Sequence, residues 1–291
     1  MNPILAFVLL MAPAVSAGDT LVDVRPGDHL VLKDFEGRVV VDTWDRPEAR
    51  AQGESKSDYR FRTTRSGNDL VFRPSRGSDE EEGIRVTAPP WVSLEIQGRE
   101  TEVSVRGFEE NVRIRSLEGD VGLTNLSGSL DVYTAEGEII ANGLTGEARL
   151  RTGDGDIEVR ASSAELDVET VEGEIRLEHL ESRRISAKGT GGEIEFTGRM
   201  LDGGQYTFLT HEGDVFLRLV PPVNLDATVL AYDGEFTSDF PVRATGFRSG
   251  EGIQFRTGEG GTRLQVETFS GEVRIRRLEE GRVERPAEFD D

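Results

Sequence analysis

Apolar residues two positions apart recur along most of the chain and predict short β-strands. After residue 112 the pattern becomes regular and the apolar pairs form two alternating sets. Each pair of the first set follows a glycine and an acidic residue. Side chains of a strand point alternately to opposite faces, so we expect these pairs to lie inside and their polar neighbours outside. No stretch beyond the first residues shows a 3.6-residue stripe, which predicts an all-β protein. The inward pairs are Val121/Leu123, Ile139/Ala141, Ile157/Val159, Ile175/Leu177 and Ile194/Phe196, and, in the second set, Val112/Ile114, Leu130/Val132, Ala148/Leu150, Leu166/Val168 and Ile185/Ala187.

One short motif, Ser/Thr-x-Glu/Asp-Gly-Asp/Glu-Val/Ile, repeats at fixed spacing, with a looser copy at residues 189–194. Its glycines lie at positions 119, 137, 155, 173 and 192, so the steps are 18, 18, 18 and 19 residues. A second corner falls nine residues later, at Gly128, Gly146 and Ala164. Fixed periods near 20 residues indicate units that bury their apolar faces only against their neighbours. The sequence therefore predicts a single-stranded parallel β-solenoid, of β-helix or β-roll type, with about 18–21 residues per coil.

Outward positions 18 residues apart support the same register. Arg113, Asp131, Arg149 and Asp167 alternate in charge, and two residues later Arg151 falls opposite Glu169. Adjacent coils would then present opposite charges, each exposed pair contributing about 0.2–1 kcal/mol.

The chain before residue 111 reads as irregular strands that cap the solenoid. We expect strands at 20–24, 29–33 and 37–44, a loop at 49–58, and a hairpin around Ser66-Gly67-Asn68. A solvated acidic loop follows at 75–83 and a rigid Pro89-Pro90-Trp91 turn precedes the next strands. The predicted organisation is thus 18–110 for the N-terminal strands and cap, and 111–278 for the repeats.

Beyond Phe196 the repeat loosens. Gly213 and Gly234 follow at steps of 21, and Gly271 after 37, about two coils. Residues 279–291 are acidic and contain Pro286, which predicts a disordered tail.

Residues 1–17 have the features of a signal peptide. A short apolar run at 4–12 is broken by Pro13, and the small residues Val15-Ser16-Ala17 suit cleavage before Gly18. The run is too short to span a membrane. We therefore expect an exported protein, periplasmic, secreted or at the cell surface. The chain has no cysteine, so its fold must be stabilised by packing and strand pairing without disulfides.

Charge narrows the possible partners. Lys and Arg total 34 against 55 Asp and Glu, a formal net charge of −21. Such a field repels phosphate backbones and disfavours adsorption to anionic lipid. Nucleic acid is excluded as a partner, and no membrane insertion is expected after signal cleavage.

The repeats, together with several less regular segments, resemble the bacterial putative-adhesin family, exported β-strand-repeat proteins with a domain of unknown function. FEGRVVVDTWDRP at 35–47 is similar to the family's opening strand, and the Gly-Asp/Glu-Val/Ile motifs are similar to its body. YTFLTHEGDV at 206–215, GEFTSDFP at 234–241 and TFSGEV at 268–273 are similar to its closing coils. The resemblance implies a β-solenoid at the cell envelope, with roles in adhesion or envelope stress. It implies no catalytic residues.

Paired carboxylates flank each motif glycine and are candidate ligands for a hard cation. Stacked coils would line them up in a double column, and Ca²⁺ prefers several oxygen ligands at about 2.3–2.6 Å. The calcium-binding β-roll motif, however, has an aspartate where Ile157 stands here. We expect instead that glycine provides a positive-φ corner and that the acids are solvated beside it. The alternative calcium column comprises Glu118, Asp120, Glu136, Glu138, Asp154, Asp156, Glu172 and Glu174.

Catalytic patterns are weak. A pair of these acids could act in a carbohydrate-active β-helix enzyme, but acids repeated in every coil indicate corner geometry more than one tuned site. His29, His179 and His211 are dispersed without metal-ligand spacing, and His179 falls in the inward phase after Leu177. The exposed aromatics Tyr133 and Tyr232 could contact sugars or proteins, while Trp44 and Trp91 suit an end cap.

We therefore expect no cofactor and a non-catalytic exported module that binds an envelope or extracellular protein or polysaccharide. The alternatives are a structural β-roll stabilised by Ca²⁺ and, third, a carbohydrate-active enzyme.

Overall fold

The computed structural model describes residues 19–53, 61–75, 83–248 and 252–278. The predicted signal peptide, the acidic tail and most of the acidic loop at 75–83 lie outside these residues. Within them the protein is all β and has no helix, so no helix there could cross a membrane. In chain order the strands are β1 (Thr20–Asp23), β2 (His29–Thr43), β3 (Glu48–Gly53), β4 (Phe61–Ser66), β5 (Asp69–Pro74), β6 (Ile84–Ala88), β7 (Ser93–Arg106), β8 (Val112–Glu118), β9 (Val121–Thr124), β10 (Ser129–Glu136), β11 (Ile139–Asn142), β12 (Glu147–Asp154), β13 (Ile157–Arg160), β14 (Glu165–Glu172), β15 (Ile175–Leu180), β16 (Arg184–Gly189), β17 (Ile194–Gly198), β18 (Gln205–Glu212), β19 (Val215–Leu219), β20 (Leu225–Asp233), β21 (Phe236–Ser238), β22 (Arg243–Arg248), β23 (Gly252–Thr257), β24 (Thr262–Ser270) and β25 (Val273–Arg277).

The repeats form two parallel ladders, which confirms the predicted solenoid. In ladder one, β8, β10, β12, β14, β16 and β18 pair in turn, and in ladder two β9, β11, β13, β15, β17 and β19 do the same. The registers are those expected, with Leu130 opposite Ala148 and Ile139 opposite Ile157. All ten predicted inward apolar pairs are buried and belong to one continuous core. Each buried aliphatic side chain stabilises the fold by about 1.5–3 kcal/mol.

The two ends of the solenoid are built in the same unusual way. At one end, β24 lies between β18 and β20, and β25 lies between β19 and β21. At the other, the coil formed by β2 lies between β7 and the coil formed by β5 and β6. Each end therefore encloses a coil that chain order alone would place outermost.

Antiparallel strands cover three of the outermost parallel strands, β20, β5 and β6. β23 pairs with β20 and β22 pairs with β23. At the other end, β4 pairs with β5, β3 pairs with β6, and β1 pairs with β3. Such pairing occupies backbone groups that an open parallel edge would leave free to template another chain.

Two expectations about the first hundred residues have different outcomes. The hairpin is confirmed, since β4 and β5 pair antiparallel with Ser66 opposite Asp69. The loop expected at 49–58 is wrong for its described part, because β3 occupies residues up to Gly53 and buries Ala49 and Ala51 completely. The sequence pattern did not predict this strand, because alanine is only weakly apolar and Ala49 and Ala51 alternate with the polar residues Arg50 and Gln52.

The motif glycines form the corner between the two ladders. Gly119, Gly137, Gly155 and Gly173 have φ between 116° and 140°, a region that favours glycine. A Cβ built on Gly155 would lie 2.3 Å from the carbonyl oxygen of Gly137, and the same contact recurs between other stacked glycines. Both the backbone angle and the spacing of the coils therefore require glycine.

We predict that Gly155→Ala lowers the free energy of unfolding by about 3 kcal/mol or more, because it combines an unfavourable φ with a backbone clash. Denaturant unfolding of the variant and the wild type would measure the loss. Gly122→Ala is the matched control, since a Cβ on Gly122 meets its nearest atom at 3.8 Å and its φ is not positive. Equal losses in the two variants would contradict the corner argument.

Candidate functional site

The carboxylates proposed as a calcium column do stack along the glycine corner. Glu118, Glu136, Asp154 and Glu172 are in direct register on successive strands of ladder one. Asp120, Glu138, Asp156 and Glu174 follow the glycines on the other side of the corner. Five of the eight are exposed and Glu138, Asp156 and Glu174 are half-buried. No three acidic or histidine side chains within the described residues cluster closely enough to hold a metal ion.

The aspartates after the glycines have a structural contact that the sequence did not reveal. The Oδ1 atom of Asp120 accepts the backbone N–H of Glu138, at 2.9 Å, and that of Asp156 accepts the N–H of Glu174, at 2.7 Å. Asp214 does the same for Glu272, at 2.8 Å. Each bond ties one coil to the next. Glutamate and aspartate therefore have different roles at this position.

A column of buried hydroxyl groups lies under the same corner. Thr152 donates to the carbonyl oxygens of Gly137, at 3.0 Å, and Asp154, at 3.2 Å. Thr134 and Thr170 make the equivalent pairs of contacts. The Ser/Thr at the start of each motif thus satisfies carbonyl groups where the chain turns. Its fixed distance from the glycine was the signal for this role.

Burial and the crowding of like charges raise the pKa values of two glutamates at the corner. Burial raises the pKa of Glu138, and the nearby charges of Asp120 and Asp156 raise it further. Burial, a hydrogen bond to Glu195 and the charges of its acidic neighbours raise the pKa of Glu193 to about 7. The pKa of the neighbouring Glu195 is lowered. Burial alone would raise it, but the hydrogen bond from Glu193 and the charge of Arg218 outweigh that effect. Glu193 therefore loses its proton only near neutral pH, where Glu195 is already ionised.

The outward face of ladder one carries the expected alternation of charge. Arg113 and Asp131 are opposite each other, with Nε and Oδ2 3.6 Å apart, and Arg149 pairs with Asp167 at 3.1 Å. Arg151 is opposite Glu169 in register, but its guanidinium forms an ion pair with Asp131, at 3.3 Å. The paired residues Arg113, Asp131, Arg149 and Asp167 line an open groove of about 590 Å³. Their mutual pairing makes it a polar surface of balanced charge.

Asp131 is the centre of this charged network. Burial alone would raise its pKa, but the hydrogen bond and charge of Arg115, together with two further arginines, hold the pKa below its usual range. Asp131 is therefore a fixed anion, tied to neighbouring coils.

A second groove, of about 640 Å³, lies on the same face near the other end of the solenoid. Three rings from neighbouring strands line it and form what we call the aromatic strip: His211, Phe269 and Tyr232. The ring centroids of His211 and Phe269 are 4.9 Å apart with planes 21° apart, and those of Tyr232 and Phe269 are 5.7 Å apart. Of these, sequence reasoning singled out Tyr232 as a contact residue. It missed Phe269, because the two lie 37 residues apart in the chain (269 − 232).

The three histidines occupy separate places. His179 was expected to point inward, but it is exposed, because it has φ 55° at a bulge between Glu178 and Leu180. His29 lies between two carboxylates, with Nδ1 3.2 Å from Asp69 and Nε2 3.6 Å from Glu95. Both its ring nitrogens thus face acids rather than a nucleophile. His211 belongs to the aromatic strip.

The tryptophans are both half-buried, and Tyr133 is exposed. Trp91 packs against the core, and the indole N–H of Trp44 donates to the carbonyl of Glu48 at 2.7 Å. The guanidinium of Arg46 lies 5.2 Å from the Trp44 ring. Tyr133 lies within the charged half of ladder one, opposite Arg115 and Arg151.

Comparison with known families confirms the resemblance stated from the motifs. The model of the Toastrack DUF4097 family matches twice, over residues 54–165 and 145–276, and so covers more than half of the chain. The chain belongs to the Toastrack family. No curated protein matches it.

Three solved structures are similar to this Toastrack chain at low identity. A putative cell adhesion protein from Clostridium sporogenes is 10% identical with a TM-score of 0.23, covering 89% of this chain and 99% of that one. A putative adhesin from Parabacteroides distasonis is 13% identical with a TM-score of 0.39, covering 88% and 96%. A putative lipid binding protein from the same organism is 11% identical with a TM-score of 0.37, covering 89% and 97%.

We predict that Glu193→Gln stabilises the protein at pH 8 and has little effect at pH 4.5. A carboxyl whose pKa is raised on folding binds its proton more tightly in the folded state, so its contribution to stability is lost as pH rises from about 4.5 to 7. Because Glu193 is only half-buried, solvent screening reduces the gain at pH 8 to the order of 1 kcal/mol. Thermal melts at both pH values would measure it. Glu212→Gln, an exposed acid of the same corner, is the control, and an equal gain there or at pH 4.5 would contradict the assignment.

Proposed function

We propose that this Toastrack protein is a non-catalytic, exported module that binds a protein or polysaccharide of the cell envelope or the extracellular surface. The observation that carries the proposal is the outward face of ladder one. It is a long, regular surface on a fold whose coils are tied together by backbone and corner hydrogen bonds. A rigid surface of this kind can bind without ordering itself first, which lowers the entropic cost of association.

The chemistry of the corner favours binding over catalysis. The acids recur in coil after coil, and Asp120 and Asp156 each use an oxygen to bond the next strand. Repetition and structural use of the same groups suit a scaffold better than a single tuned acid–base pair. Membership of the Toastrack family supports a non-catalytic binding role.

Export is part of the proposal and rests on residues 1–17. We expect the mature protein to begin at Gly18, because signal peptidases cleave after small residues such as Ala17. Mass spectrometry of the N-terminal peptide, from protein isolated from its own cells, would measure this. A chain that retains Met1 in the cytoplasm would contradict the proposed export.

Co-sedimentation of the full chain with isolated envelope fractions tests the binding function. We expect saturable binding that is the same with calcium and with chelator, because the corner acids act in the fold itself. Protease treatment of the envelope fraction should abolish binding to a protein partner, and periodate treatment should abolish binding to a polysaccharide.

Two outcomes would contradict the proposal. Absence of saturable binding in every condition would argue for a structural scaffold. Binding or thermal stability that requires calcium would favour the calcium-stabilised alternative and make the acidic columns its sites.

A further inference from the structure

The aromatic strip interrupts the charged face of ladder one. Phe269 and Tyr232 are 52% and 54% exposed, and Val171, at the other end of the same groove, is 50% exposed. Half-buried Leu209 adds to this surface. Contiguous exposed apolar residues with a polar border are typical of protein interaction sites. The charged half of the same face has its arginines and aspartates paired with one another, whereas these rings contact mainly each other.

The orientation of the rings limits what the strip can bind. Phe269 has a ring on each side, and the His211 plane is nearly parallel to it at a stacking distance. Neighbouring rings therefore flank both faces of Phe269, and this central ring presents mainly its edge to solvent. Edges pack well against aliphatic side chains, whereas a sugar ring stacks on an open aromatic face.

Acidic residues border the strip on both sides. Glu169 and Glu267 line the groove, where Lys188 is the one basic residue among the lining residues described. On the other side, the next position along β14, β18 and β20 carries Glu172, Glu212 and Asp233, all exposed, whereas along β24 it carries Ser270. A partner that covers the rings would bring its flanking groups against these carboxylates. Charge complementarity across such a border favours basic flanks.

We propose that the aromatic strip binds an extended segment of a partner protein in which apolar side chains alternate with lysine or arginine. Alternate side chains of an extended chain point to opposite sides, so the apolar ones can face the rings. The long, flexible lysine or arginine side chains between them would bend over the edges of the segment toward the bordering acids. The assignment rests on the proposed binding function and adds to it the site and the class of partner.

The test uses the full chain and a fluorescein-labelled synthetic decapeptide that alternates lysine and valine. Fluorescence anisotropy should show saturable binding. Two control peptides, with glutamate in place of lysine or serine in place of valine, should each bind about tenfold more weakly, because each removes one half of the recognition.

Variants then assign the binding to the strip. The double substitution Tyr232→Ser with Phe269→Ser should weaken peptide binding about tenfold, as expected for the loss of central aromatic contacts. Lys188→Gln should tighten it about twofold, because it removes a repulsive charge. Tyr133→Ser is the matched control, an exposed aromatic of the same ladder within the charged half, and should leave binding unchanged. Circular dichroism and melting would verify that each variant folds.

Three results would overturn the inference. Peptide binding that is unchanged in the double variant would show general attraction to an acidic protein. Binding of a neutral glucose or N-acetylglucosamine hexasaccharide that the double variant loses, with no peptide binding, would make the strip a sugar site.

Envelope co-sedimentation of the same variants separates the two proposals. If the double variant loses peptide binding but retains envelope binding, the strip is not the partner site, although the proposed binding function stands. If the strip binds the peptide but the protein does not bind the envelope, the strip is supported and the envelope role is contradicted.

Discussion

The close approach of one glycine to the next is the contact on which the whole solenoid depends. At the motif glycines from Gly119 to Gly213 the chain adopts a positive φ, while the carbonyl oxygen of the preceding coil occupies the space where a Cβ would be. Any other residue would both strain the turn and push the coils apart. The strand spacing, the aliphatic columns and the outward charge pairs all require the corners to repeat with the same geometry. Replacing one glycine therefore affects every ladder that meets there.

The corner also explains why acids recur there. Solvated carboxylates lie beside the glycines, and their stacking in register places like charges on neighbouring strands, as the raised pKa of Glu138 reflects. Two features offset this repulsion. Aspartates after the glycines bond the next coil's N–H, and arginines such as Arg176 form ion pairs with corner acids such as Glu174. Asp120, Asp156 and Asp214 are thus part of the fold's own hydrogen bonding, and each has one oxygen fewer to offer a cation.

The same ladder presents two different surfaces. Its central strands carry arginine and aspartate that neutralise each other across coils, whereas its last strands carry the aromatic strip with an acidic border. The change occurs where β24 lies between β18 and β20 and brings Phe269 beside His211 and Tyr232. A topological feature of the solenoid's end therefore creates the surface that we assign to a partner.

Much of this protein followed from the sequence because its interactions are periodic. The inward pairs such as Val159 and Leu177, the corner glycines and the opposition of Arg113 to Asp131 all depend on spacing within and between repeats, which the chain itself displays. What depends on departures from the period needed the tertiary structure. His179 turns outward because a left-handed residue at a bulge breaks the alternation. Ala49 and Ala51 form a strand because β1 and β6 pair with it, and no local pattern shows those partners. The aromatic strip joins residues from β18, β20 and β24, and their adjacency comes from the insertion of β24 between the other two strands. The repeats determine how one coil stacks on the next, but where the period loosens only packing of the whole core decides which coil is the neighbour.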